Sequence, residues 1–180
     1  MGLVVELKQH MNNYKIGSGV PNKSSSATHM EHSEYVTYYG LEKDAENKLK
    51  TILARCTDSN VTTYFHECFS EKYALVFDID KNNDGETCKD IKEILSAIYE
   101  GIRTVFDITN PDLINCVVFT ASTPQKMSYH VHFPDICVNK GIAKQVYDSI
   151  FKQNKWCRSY IDEQILSSQK LRMAFSDKWI

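Results

Sequence analysis

Charge of one sign is scarce in this chain. Its 21 lysines and arginines stand against 23 aspartates and glutamates, for a net charge of −2 and a pI near 6.3. A domain whose whole surface grips nucleic acid is usually strongly basic, so any DNA or RNA contact is expected to be local, or supplied by another part of a longer protein. Closely spaced cysteines are also missing. The six cysteines fall at 56, 68, 88, 116, 137 and 157 with no CxxC pair. That argues against a zinc ribbon or a dithiol redox motif. It predicts mostly buried free thiols in a reducing intracellular compartment, cytosol or nucleus. Long hydrophobic runs are absent as well. No stretch approaches the ~20 apolar residues that span a bilayer, and no secretory leader is visible, so no membrane partner is expected. Met1-Gly2 opens like a myristoylation signal, but Glu6 stands where Ser or Thr is required.

What the chain does have is a folded domain's composition, 42% hydrophobic and 24% charged over 180 residues. That length buries a core without staples and suits one domain with a small appendage. The appendage is placed at 1–60, an N-terminal α/β extension. Residues 1–16 read as a short strand or helix, 17–34 (GSGVPNKSSSATHMEHSE) as a flexible loop, and 41–56 as an amphipathic helix. The main body is placed at 61–180. Strands are predicted over 61–69, 73–79, 115–121, 126–133 (closed by Pro134) and 170–176, with helices over 88–106 and 140–153.

From about residue 73 the order is β-α-β-β-α-β, an α+β pattern of the ferredoxin-like or RRM-like kind. In that topology the first and third strands lie side by side at the sheet centre. Side chains alternate across a strand, so Leu75, Phe77 and Ile79 are predicted to face the helices while Asp78 and Asp80 face away. On 126–133 the same alternation puts Lys126, Ser128, His130 and His132 on the open face. Two carboxylates and a Ser-x-His pair thereby meet on one side of one sheet.

Those residue types suit phosphate chemistry. Neighbouring carboxylates repel, and a hard divalent cation, Mg²⁺ or Mn²⁺, relieves the repulsion with oxygen ligands. A cation, a hydroxyl and an imidazole spaced by two on a strand make a phosphate clamp. Asp162, after an apolar pair, offers a third carboxylate, and Arg172 and Lys178 offer cations to triphosphate oxygens. His132 has no separate role. Each group alone also reads as an ordinary surface residue, and a lone DxD serves phosphatases, glycosyltransferases and helix caps too.

Taken together, LVFDID, KMSYHVHF and YIDEQILSSQKLRMAFSDK resemble the archaeo-eukaryotic primase superfamily, most of all the primase domains of poxvirus-type primase-helicases and of eukaryotic primase-polymerases. The resemblance spans roughly 62–180. It implies that 61–180 is a primase catalytic core that stops short of the viral relatives, which continue into a helicase, as a fragment, a trimmed piece or a degenerate copy would. It also implies that Asp78, Asp80 and Asp162 hold two divalent metals, Mg²⁺ or Mn²⁺. Ser128 and His130 would contact the phosphates of an incoming NTP or dNTP, supported by Lys126, Arg172 and Lys178. The implied activity is template-directed nucleotidyl transfer on single-stranded DNA, making primers for replication beside a helicase domain or subunit. Asp80 stands where the family often has Glu, and Ile165-Leu166 where relatives carry an aromatic.

Three other readings remain at this point. A haloacid-dehalogenase-type phosphatase also ends an apolar strand in DxD, but needs a parallel sheet. A calcium loop begins like Asp80-x-Asn82-x-Asp84-Gly85, but has Ile91 where the closing Glu belongs. A primase fold retained for binding nucleic acid or a partner, without turnover, fits the near-neutral charge.

Overall fold

Apolar residues recurring every three or four positions build the helices, and alternating or continuous apolar runs build the strands. The computed structural model describes residues 2–18, 29–31, 37–69, 71–83, 88–110, 114–168 and 170–172. The chain begins with α1 (Leu3–Asn12), β1 (Lys15–Ser18), β2 (His29–Glu31), β3 (Thr37–Tyr39), α2 (Lys43–Asp58) and β4 (Phe65–Cys68). Next come β5 (Tyr73–Asn82), α3 (Ile91–Phe106), β6 (Val117–Thr120), β7 (Lys126–Val138) and α4 (Lys140–Gln153). A 3-10 turn over Lys155–Ser159, α5 (Gln164–Ser168) and β8 (Lys170–Arg172) follow.

These elements form two compact units, Met1–Ser70 with Gln169–Ile180, and Glu71–Ser168. The first contains a sheet of order β1-β3-β2-β4-β8, with every ladder antiparallel. Its core joins Leu7 and Met11 of α1 to Leu49, Ile52, Leu53 and Cys56 of α2, with Tyr39, Leu41 and Phe65. The N-terminal stretch left open between strand and helix is therefore mainly helix. His10 is tied to this core through Nε2, 2.8 Å from the Ala45 carbonyl oxygen. The expected loop over 17–34 carries strand residues at 17–18 in β1 and 29–31 in β2, and residues 32–34 lie outside the described residues. Its middle lies outside the described residues.

The second unit contains an antiparallel sheet of order β5-β7-β6. Leu75, Phe77, Ile79, Val131 and Phe133 are fully buried and meet Ile94, Ile98 and Ile102 of α3 and Val146, Tyr147 and Ile150 of α4 in its core. Phe77 stacks on Tyr147 at 4.8 Å, and the Tyr147 hydroxyl donates to the Val76 carbonyl at 3.1 Å. Asp90 and Asn139 cap α3 and α4 by accepting the backbone N–H of Lys92 and Ile142.

Two expectations are corrected here. Of the strand expected over 170–176, the described part, Lys170–Arg172, lies outside the β5 sheet, so among the described residues the RRM-like six-element order is interrupted, and residues 173–176 lie outside the described residues. β8 pairs instead with β4, Leu171 opposite Glu67. The edge beside β5 is met by a single bridge, Ile79 to Ile161, flanked by Asp80 N–H to Tyr160 O and Asp162 N–H to Asp78 O, both 2.8 Å. Pro134 does not close β7 either. The register jumps from Leu75↔Phe133 to Ala74↔Cys137, and that irregularity absorbs an imino acid that has no N–H to give the ladder.

None of the six cysteines is in a disulfide, and only Cys56 and Cys157 are buried. No helix among the described residues is long and apolar enough to cross a membrane. The phosphatase reading needed a parallel sheet, and both ladders beside β7 are antiparallel. The calcium-loop reading fails at its first positions, because Asp80 to Asn82 belong to β5. Residues 84–87 lie outside the described residues.

Candidate active site

The site grows out of the β5–β7 ladder. Directly opposed residues of an antiparallel pair project to the same face. Asp78 stands opposite His130, and Asp80 opposite Ser128. The neighbouring residues Phe77, Ile79 and Val131 are wholly buried on the helix side. The alternation that buries them obliges Asp78, Asp80, Ser128 and His130 to share the other side. Burial of one face thus fixes the register, since a one-residue slip would turn the carboxylates into the core.

Within this group His130 Nε2 lies 3.4 Å from Asp78 Oδ1, with the two side chains 11% and 25% exposed. Lys126 Nζ reaches Asp80 Oδ2 at 2.5 Å. Asp80 Oδ1 is buried and has no hydrogen-bond partner among the described residues. Ser128 is buried, and its backbone is held by a side chain from the β6–β7 connection. Ser122 Oγ accepts the Ser128 N–H at 2.9 Å and donates to the Ser128 carbonyl at 3.1 Å.

Asp162 is brought beside Asp78 by the backbone bond described above. Its own Oδ1 accepts the Gln164 N–H at 2.8 Å and caps α5. Among the described residues no three His, Cys, Asp or Glu side chains gather closely enough to hold a metal ion. Hard oxygen donors and a buried, unpartnered Asp80 Oδ1 nonetheless fit a cation of the magnesium kind. Such an ion is commonly held by one or two carboxylates, and fills its remaining positions with water and substrate phosphate oxygens.

Of the residues singled out from the sequence, Asp78, Asp80, Lys126, Ser128, His130 and Asp162 all belong to the Glu71–Ser168 unit. Five stand on the paired strands β5 and β7, and Asp162 follows the Ile161 bridge to β5. Arg172 lies on β8 in the other unit, in register with His66. Lys178 lies outside the described residues. Ser122 was not anticipated. The signal was a Ser-Thr-Pro turn, where a hydroxyl readily replaces a backbone partner, but nothing local tied that turn to Ser128.

The family profile described as the C962R protein N-terminal AEP domain matches residues 28–179, most of the chain. No curated protein matches it.

Proposed function

The chain belongs to this archaeo-eukaryotic primase (AEP) domain family, and from that premise we propose that it is a DNA primase or primase-polymerase domain. In this reading it performs metal-dependent, template-directed nucleotidyl transfer on single-stranded DNA with an NTP or dNTP. The observation that carries the reading is the register setting Asp78 against His130 and Asp80 against Ser128 on one sheet face.

Asp78 and Asp80, with Asp162 beside them, are the residues that would hold Mg²⁺ or Mn²⁺. The bound ions supply Lewis-acid stabilisation of phosphate oxygens. Lys126, Ser128 and His130 bind and orient the triphosphate. Lys126 trades its contact with Asp80 for a phosphate oxygen, the Ser128 hydroxyl donates to another, and His130 is steadied by Asp78. A primer 3′-hydroxyl oxygen attacks the α-phosphorus, its proton is lost, and the bond to pyrophosphate breaks. Most of the rate then comes from groups preorganised around developing charge. A helicase domain or subunit is the proposed partner in replication.

The near-neutral net charge of −2 favours a second reading, a primase fold that binds nucleic acid or nucleotide without turnover. One experiment separates the two: synthesis on single-stranded DNA with labelled nucleotides and Mg²⁺ or Mn²⁺, with an Asp78→Ala, Asp80→Ala variant alongside. Metal-dependent product that disappears in the variant is expected. Nucleotide binding without product from folded protein leaves the binding module. No binding of metal or nucleotide removes both.

A further inference from the structure

We infer that the Phe119 ring on β6 is the stacking surface for the base of the incoming nucleotide. This rests on the reading of Asp78, Asp80, Ser128 and His130 as a triphosphate site and extends it across the sheet.

The register carries the inference. His130 is opposite Asp78 on one side and opposite Phe119 on the other, so these three form one row across β5, β7 and β6. His132 heads the next row, opposite Val76 and Val117. Adjacent strands are ~4.8 Å apart, so Phe119 stands one strand beyond His130 on the side away from the carboxylates. The rings of Phe119 and His132 meet at 5.4 Å and 84°, which places Phe119 on the same face as the phosphate-binding groups.

Along this row the surface changes character. It runs from carboxylate to imidazole to an aromatic ring that remains partly exposed, with Val117 46% exposed beside it. A nucleoside triphosphate has the same polarity of construction: an anionic chain, a ribose, then a flat apolar-faced base. With its phosphates over Ser128 and His130, the ribose spans the step to β6 and the base lies on Phe119. Stacking accepts every base because each has a π-face. The larger purine face gains more contact, so purine nucleotides are expected to bind more tightly.

The test compares ATP with inorganic tripolyphosphate, each titrated calorimetrically with Mn²⁺ into wild type, Phe119→Ala and Phe119→Leu. Phe119→Ala should weaken ATP roughly tenfold, as loss of one stacked base does, and leave tripolyphosphate affinity unchanged. Phe119→Leu keeps an apolar side chain in place without a π-face and should show the same selective loss, which covers failure of the alanine variant to fold. In wild type, the fluorescence of 2-aminopurine ribonucleoside triphosphate should be quenched on binding. Equal losses for both ligands, or no loss for ATP, would overturn the inference and leave the phosphate site standing. Wild type that binds tripolyphosphate as tightly as ATP would do the same. Wild type that binds neither ligand would overturn the inference and the primase reading together.

Discussion

Lys126 holds a position with two possible partners. Its ammonium sits on Asp80, and both side chains are more than a third exposed, 39% and 38%. A pair so open to water adds only ~0–1 kcal/mol to stability. A phosphate oxygen makes a stronger, charge-assisted bond to the same ammonium. Lys126→Ala should therefore lower Tm by less than about 4 °C. It should raise the KM for nucleotide roughly tenfold or more. Thermal melts and steady-state kinetics read the two effects separately, and a large Tm loss with unchanged KM would make Lys126 a structural residue. Ser122 has the opposite profile: it touches no charge, but it fixes the backbone from which Ser128 projects.

At the level of elements, the sheet keeps its carboxylates aligned only while α3 and α4 lie flat beneath it. They approach closely at Gly101, where an added Cβ would meet Ile150 Cγ1 at 2.3 Å and the Ile150 backbone nitrogen at 3.3 Å. Alanine raises helix propensity by ~1 kcal/mol over glycine. Overpacking costs ~1–3 kcal/mol, and contact with a branched side chain close to its backbone leaves little room to relax. Gly101→Ala should therefore lower Tm by several degrees, and adding Ile150→Val should recover part of that loss. Denaturation of the single and double variants checks this, and an unchanged Tm in the single variant would show that the helices part without cost. The same scale explains what the strand pattern misled. Pro134 reads as a stop because it cannot donate to a ladder, yet its own strand leaves Pro134, Asp135 and Ile136 without partners on β5 and then resumes the ladder at Cys137.

For the whole molecule, buried weak acids set a limit on alkaline stability. Burial pushes the Tyr147 phenol well above its usual 10.0. Burial, with a smaller effect from the Cys116 thiol, takes Tyr99 to about 12 from 10.0. Burial alone takes the Cys157 thiol to about 11 from 9.0. Each stays protonated in the fold at a pH where the unfolded chain has already lost the proton. Their stabilisation is complete below the unfolded values and disappears as pH climbs through the folded ones. Tm should hold steady up to about pH 9 and fall steadily from there toward pH 12. Cys157→Ala should make the decline above pH 9 shallower, with the Cys56 thiol, also pushed up by burial, carrying what is left of it between pH 9 and 10. Scanning calorimetry across that range tests it, and a flat profile would mean that these groups ionise in place.

Local pattern was enough for much of this protein. The apolar run that starts at Leu75, with Asp78 and Asp80 on either side of Ile79, determined which face the two aspartates take, because a strand's side chains alternate whatever surrounds it. Helical spacing likewise placed α4 to the residue and the ends of α2 and α3 within three residues. The YIDEQIL segment carried a recognisable acid in Asp162. Only tertiary structure decided where that acid lies, since its place beside Asp78 depends on one bridge between residues far apart in the chain. The fate of the last strand was settled in the same way. Lys170–Arg172 has strand character but only three residues, too few to carry in themselves which edge they will pair with. That choice went to β4, whose backbone donors and acceptors were available to it. Alternation is a property of the chain's own covalent geometry. Partner choice is a competition among distant surfaces, and the sequence of one segment does not contain its outcome.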